Sequence, residues 1–337
     1  MSFIYFGCWN NNFCDTKELK NGLSKVMNEL QKFFFVNFIV VAGDNNYPIK
    51  KIQNDKKIKE FNKENFYSGV NCLTNALPLN KKYILLGNHE FDLLENINQN
   101  EKCGLMNIQK NTFNKENNYI FFENVMTEKL NNTIIIMIDT TLYEYKIEDI
   151  NDYCPNVFPH IERNYEKLYN EQKNQIIQIL QSNQTVNNIV IIGHHPIITV
   201  KNKKNNVLNG LINLFNDIKE FLNNKQIYYL CADNHLQQKG IINFNDIKIK
   251  QYVAGTGGAD LDECPENPVN SELIYKFDNI NYQIIKCKST YGFYLIEEID
   301  NELQFNFIDM NIDNDKDEYK NKYLKYKQKY LKLKYHT

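Results

Sequence analysis

The chain has 337 residues, a formal net charge of −2 and a hydrophobic share of 42%. That length allows one large α/β domain or two ordinary ones and leaves enough apolar residues for a core. The near-neutral balance excludes whole-protein attraction to nucleic acid or anionic membrane, and no run approaches the ~20 apolar residues of a membrane span.

Ser2 to Phe6 reads at once as a strand. No basic stretch precedes it and no small-residue cleavage site follows, so no secretory signal is read and a cytoplasmic setting is expected. Thr16 to Phe34 predicts a helix, with Leu19, Leu23, Val26, Met27, Leu30 and Phe34 at three- and four-residue spacing. Val36 to Val41 is a buried strand stopped by Gly43, and Lys82 to Leu86 is another stopped by Gly87. Thr133 to Ile138 is the most apolar run and ends at Asp139-Thr140. Asn164 to Gln181 predicts a helix, with Leu168, Ile176, Ile179 and Leu180 on one side. Ile189 to Ile192 and Ile227 to Leu230 are further buried strands, separated by a helix over Val207 to Phe221. Ile247 to Val253, Tyr282 to Ile285, Tyr291 to Ile299 and Leu303 to Phe307 follow as strands with short links. Some alternate polar and apolar residues, as an antiparallel sheet with one covered face would. A β-α-β opening and a β-rich close predict two packed sheets flanked by helices. Lys50 to Phe66 and Asp260 to Ser271 read as loops that shape substrate access.

Residues 1–310 thus form the main domain, and residues 311–318 an acidic linker. In the tail, residues 319–337, Tyr319, Tyr323, Tyr326, Tyr330 and Leu333 make a short heptad seam flanked by Lys. Two readings of this tail stay open: a solvated helix, or a basic amphipathic helix that binds a partner or a surface. Its Lys/Tyr/Leu composition resembles C-terminal tails of proteins from giant DNA viruses. The cysteines at 8, 14, 72, 103, 154, 231, 264 and 287 form no CxxC pair. Neither a structural zinc site nor a disulfide framework is suggested, and reduced thiols are expected.

Four runs carry the chemistry, each at the end of a predicted buried strand. In Gly43-Asp44-Asn45-Asn46-Tyr47 the glycine permits a sharp turn. Asp44 then stands at the carboxyl edge of the sheet, where open α/β folds place ligands. Alone, the run is also ordinary turn chemistry. Gly87-Asn88-His89-Glu90 offers an amide oxygen for a metal and an imidazole suited to protonating a leaving alkoxide. It is equally a helix start, with Asn88 capping and Glu90 on the dipole. Gly193-His194-His195-Pro196 places two imidazoles side by side, one a ligand and the other a substrate-side or supporting group. Ala232-Asp233-Asn234-His235 holds ligands at i and i+2, which share a face if the strand continues; an Asx turn is the alternative. Gly255-Thr256-Gly257-Gly258 reads as a site-wall turn rather than a nucleotide loop. His160 reads as a loop residue, and Trp9 as a pocket wall or a packed side chain.

The order Gly-Asp-x-x-Tyr, Gly-Asn-His-Glu, Gly-His-His-Pro and a terminal His resembles the calcineurin-like metallophosphoesterases. Tyr47, Asp139-Thr140, Tyr229-Leu230-Cys231, Leu236-Gln237 and Gly292-Phe293 narrow the likeness to purple (tartrate-resistant) acid phosphatases. The resemblance implies a four-layer α/β/β/α sandwich of two mixed sheets, with two metal ions about 3.5–4 Å apart. Asp44 would bridge them. Tyr47 and His235 would bind the first, a ferric ion in the purple enzymes. Asn88, His194 and Asp233 would bind the second, a divalent Fe, Zn or Mn. It further implies hydrolysis of phosphomonoesters by metal-bound hydroxide, with His89 and His195 as catalytic groups and Asn88 and His195 on the substrate. The substrate would be a phosphorylated small molecule or a phosphoprotein, with no nucleic acid for the main domain.

Two positions depart from the family pattern. The family's Gly-Asp-Trp-Gly is Gly7-Cys8-Trp9-Asn10 here, so Cys8 stands where an aspartate binds the first metal. The family's Gly-His-x-His is Ala232-Asp233-Asn234-His235, with Asp233 in place of an imidazole. A thiolate is softer than a carboxylate and redox-active. The expectation is a working, retuned centre. Its alternatives are a catalytically impaired binding protein that keeps the fold, and a phosphodiesterase or phosphoprotein phosphatase.

Overall fold

The computed structural model describes residues 1–10, 22–31, 34–53, 56–92, 94, 104–116, 118–122, 125–144, 165–202, 204–266 and 273–309. The start of the first predicted helix, His160, the 311–318 linker and the 319–337 tail lie outside the described residues.

Short runs of β-branched and aromatic residues build two large sheets. One has six strands in the order β18 (Glu302–Asp309), β17 (Gly292–Ile299), β1 (Ser2–Phe6), β2 (Val36–Val41), β5 (Lys81–Ile84) and β6 (Tyr119–Phe121). The other has eight: β15 (Leu273–Phe277), β16 (Ile280–Lys288), β13 (Gln237–Phe244), β14 (Ile247–Ala254), β12 (Gln226–Cys231), β9 (Asn188–Ile192), β8 (Thr133–Met137) and β7 (Met126–Lys129). Both are mixed. β1, β2, β5 and β6 run parallel, as do β8, β9, β12 and β14, and the remaining pairs are antiparallel.

The two-residue period of a strand decides the layering. Ile135, Met137, Val190, Ile192, Tyr228 and Leu230 share a core with Phe3, Phe38 and Val40 of the facing sheet. Their neighbours Ile134, Ile136, Ile189 and Ile191 face the other way, into a second core. There they meet Ile176 and Leu180 of α5 (Tyr165–Ser182), and Leu211 and Phe215 of α6 (Asn209–Asp217). α1 (Leu23–Gln31) and α2 (Lys63–Ala76) pack on the six-stranded side through Met27, Leu30, Phe66 and Leu73. The result is the expected four-layer α/β/β/α sandwich. Two further helices are α3 (Gly104–Phe113) and α4 (Thr141–Glu144). No described helix is long and apolar enough to cross a membrane.

The described part of the first helix is Leu23–Gln31, and the Phe34 N–H donates to the Leu30 carbonyl (2.9 Å). Two expectations change. The stretch from Lys50 to Phe66 is not a loop. It forms a hairpin of β3 (Ile49–Gln53) and β4 (Lys56–Glu60), then enters α2 behind an Asn62 cap whose side chain accepts from Asn65 N–H (3.1 Å). The thiols are not all reduced: Cys264 is bonded to Cys287, and Cys72 is also disulfide-bonded. The first pair is 23 residues apart, so no short motif announces it. It forms where the segment after β14 folds back beside β16. Cys8 and Cys231 are free and buried.

Candidate metal centre

Chains that leave parallel strands at one sheet edge must turn at once, and three such turns here use the left-handed conformation. Cys8 follows β1 with φ 52°, Asp44 follows β2 with φ 54°, and Asp233 follows β12 with φ 53°. Such angles are uncommon outside glycine, with Asn and Asp enriched among the exceptions, and single strained residues cluster at functional sites. Gly43 and Gly87 let the loops close up. A Cβ at Gly43 would lie 2.7 Å from His194 Nδ1, and one at Gly87 would lie 2.4 Å from Asp44 Oδ1.

These turns bring the sequence-predicted residues together in two adjoining groups. Ligand atoms of Cys8, Asp44 and His235 lie within 4.8 Å of one another, as do those of His194, His195 and Asp233. Asp44 links the groups. Its Oδ2 accepts from Tyr47 Oη (3.1 Å) and lies 3.8 Å from Cys8 Sγ. Its Oδ1 lies 3.4 Å from His194 Nε2 and accepts from His89 N–H (3.0 Å). Tyr47 Oη is also 3.1 Å from His235 Nε2, and Asn88 Oδ1 is 3.1 Å from His194 Nε2.

Backbone carbonyls orient both outer imidazoles. His194 Nδ1 meets the Ala42 carbonyl at 2.6 Å, and His235 Nδ1 meets the Asp260 carbonyl at 2.7 Å. With each Nδ1 on a carbonyl, each Nε2 faces the centre, the arrangement common to metal-ligating histidines. His235 is further held by its N–H to Asp262 Oδ2 (2.9 Å), a carboxylate that Lys201 Nζ also binds (2.8 Å).

His89 and His195 flank the groups differently. His89 Nδ1 lies 2.6 Å from Asp92 Oδ2, and Lys59 binds the other oxygen of Asp92. The His89 ring packs against Tyr47, 4.7 Å between centroids. Burial works against its proton, but the Asp92 hydrogen bond and the Asp44 and Asp92 carboxylates outweigh it and raise its pKa. His195 is more tied than expected. Thr140 Oγ1 accepts from the His194 and His195 N–H groups, both at 3.0 Å, and lies 2.9 Å from His195 Nδ1. The hydroxyl hydrogen is therefore free to donate to Nδ1. His195 Nε2 lies against Glu144 Oε2, 2.5 Å away.

The charges of the site shape one another. Burial, then the Asp44 and Asp233 carboxylates, push the Cys8 thiol well up. Burial, Asp44 and Cys8 do the same to Tyr47. Burial opposes the Asp44 charge, but His194 and His89 hold Asp44 well below the usual carboxylate range. Asp44 in turn, against burial, pushes His194 up to about 10. A buried set of acidic oxygens and one sulfur, with two imidazole nitrogens aimed at it, is a donor set that cations satisfy. The residues therefore fit two metal ions sharing Asp44.

Glu90 lies in the first turn as expected and also makes contacts that its sequence position does not reveal. Its carboxylate accepts from the N–H groups of Gly87 (2.6 Å), Asp44 (3.0 Å) and Asn45 (2.8 Å), and from Gln109 Nε2 (3.1 Å). It ties two ligand loops together, and burial with the nearby Asp44 pushes it up to about 7. Glu144 and Asp92 were also unforeseen. Trp9 packs fully buried and donates to Asn45 Oδ1 (2.8 Å). The Gly255–Gly258 turn sits as a wall: a Cβ at Gly255 would lie 3.2 Å from Cys8 Sγ.

A family model, calcineurin-like phosphoesterase, matches residues 1–237. That span ends two residues past His235 and covers all the residues placed in the two groups. No curated protein matches the chain. The family implies two metal ions and phosphoester hydrolysis, and the donor groups above are what such ions would need. The chain belongs to the calcineurin-like phosphoesterases.

Proposed function

We propose that the protein is a phosphomonoesterase of the purple acid phosphatase type. The observation that carries this reading is the position of Tyr47, whose phenol oxygen lies 3.1 Å from both Asp44 Oδ2 and His235 Nε2. A phenolate there suits a hard ferric ion, whose charge lowers the phenol pKa. Cys8, Asp44, Tyr47 and His235 would hold that ion, and Asp44, Asn88, His194 and Asp233 a divalent Fe, Zn or Mn. When bound, the two ions supply Lewis acidity and make hydroxide available below neutral pH.

The chain's own groups do the rest. His89, held through Nδ1 by Asp92 and kept protonated by the surrounding carboxylates, delivers a proton to the departing alcohol from Nε2. His195, fixed between Thr140 and Glu144, lines the phosphoryl side with Asn88. The rival reading, a binding protein that has lost turnover, draws on the raised Cys8 thiol, which is a poor ligand until ionised.

Metal analysis combined with hydrolysis of p-nitrophenyl phosphate separates the two. Two metals per chain, with turnover that falls about 10²–10⁴-fold in His89→Ala, support the enzyme. A well-folded protein that binds no metal and turns over nothing refutes it.

A further inference from the structure

The hairpin that follows Tyr47 carries an unusual face. In its antiparallel register Lys50 lies opposite Lys59, and Ile52 opposite Lys57. Cross-strand partners point to the same side of a sheet. Lys50, Lys57 and Lys59 therefore share one face, with Ile52, 75% exposed, beside them. The opposite face carries Lys51, paired with Glu60, and Lys56, which lies opposite Gln53.

Like charges directly opposite one another destabilise a strand pair. Lys59 is compensated, because its ammonium binds Asp92, the residue that holds His89. Lys50 and Lys57 have no ion-pair partner among the described residues. The cationic face is thus joined to the proton donor through a single carboxylate, and two of its three charges are unspent.

We propose that this face binds a second anionic group of the substrate, so that the natural substrate is a small phosphoester bearing at least one further phosphate. The assignment rests on the proposed phosphomonoesterase reading and names the substrate class of the same site. Ammonium groups on flexible stems bind phosphate as point charges. The face is only one strand pair wide, and the whole chain carries net charge −2. A compact polyanion matches that better than an extended one, which needs a broad basic surface.

The test compares fructose 1,6-bisphosphate with fructose 6-phosphate. The metal-loaded protein should favour the bisphosphate in kcat/KM by roughly tenfold to twentyfold, a statistical factor of two for its two esters multiplied by the roughly fivefold to tenfold that two exposed ion pairs supply. In Lys50→Gln/Lys57→Gln the ratio should fall to about two, the statistical factor for two esters, and Lys51→Gln should keep the parent ratio. Titration calorimetry with both compounds reads the hairpin without turnover. Bisphosphate binding that the double variant loses supports the assignment even where hydrolysis is absent and the proposed activity fails. A ratio, or a binding preference, that the double variant leaves unchanged overturns it, as does equal binding of the two compounds by the parent protein.

Discussion

Replacing Cys8 by aspartate should make the protein weaker without metal and stronger with it. Cys8 Sγ lies 3.8 Å from Asp44 Oδ2 and is fully buried, and its thiol is held neutral by burial and by Asp44 and Asp233. A carboxylate at that position brings a second negative charge to about the same distance. Two unit charges about 4 Å apart repel by about 4 kcal/mol at an effective dielectric of about 20. One term runs the other way. Position 8 has φ 52°, a conformation that costs most L-residues about 1–2 kcal/mol and that aspartate tolerates better. A net loss of about 3 kcal/mol follows for the chelated protein. At about 2 °C per kcal/mol for a chain of this size, the melting temperature falls by about 6 °C. Metal ions should reverse the sign, because both carboxylates would then serve one cation as ligands. The assay is thermal unfolding of parent and variant, each chelated and each loaded with iron and zinc, followed by p-nitrophenyl phosphate turnover. A chelated variant that melts no lower than its parent refutes the electrostatic account. A loaded variant that loses more than tenfold in turnover shows that the thiolate has a role a carboxylate cannot fill.

Three further substitutions test other contacts. Asp92→Asn removes the charge that, against burial, helps raise the His89 pKa. The alkaline limb of the kcat/KM profile should therefore move to lower pH, and an unmoved limb would remove His89 as the proton donor. The same raised pKa adds stability that is full below the unfolded value of about 6.5 and is lost as pH rises through the folded value, so urea titrations should show Asp92→Asn costing more at pH 5.5 than at pH 8.5. Glu90→Gln leaves one acceptor oxygen for donors now divided between two, and each stranded buried N–H costs about 1–3 kcal/mol, which urea unfolding will read. Tyr47→Phe in an iron-loaded sample should abolish a visible tyrosinate-to-iron absorption band; a parent protein without that band argues against the purple subtype.

Six of the eight parallel strands were legible because each is an apolar run closed by a turn residue, as at Val36–Val41 before Gly43. The four ligand runs were legible for the same reason: they sit where those strands stop. What sequence spacing could not show is stabilised by other forces. The β3–β4 hairpin has no apolar alternation, since all five residues of β3 are exposed, and cross-strand pairing holds it instead. α2 was missed although Asn62 and Glu64 form an ordinary helix start. Glu90 acts through three backbone N–H groups from two loops, and Glu144 reaches His195 across 51 positions of sequence. No local pattern encodes such meetings.

The cystine between Cys264 and Cys287 sits two residues from Asp262, whose carboxylate holds the backbone of His235. One wall of the centre is therefore stitched by a bond that dithiothreitol cuts. Samples prepared with and without reductant would differ in how stiffly His235 is presented, and so in how readily they would retain a metal ion. The choice of purification buffer becomes part of the metal chemistry.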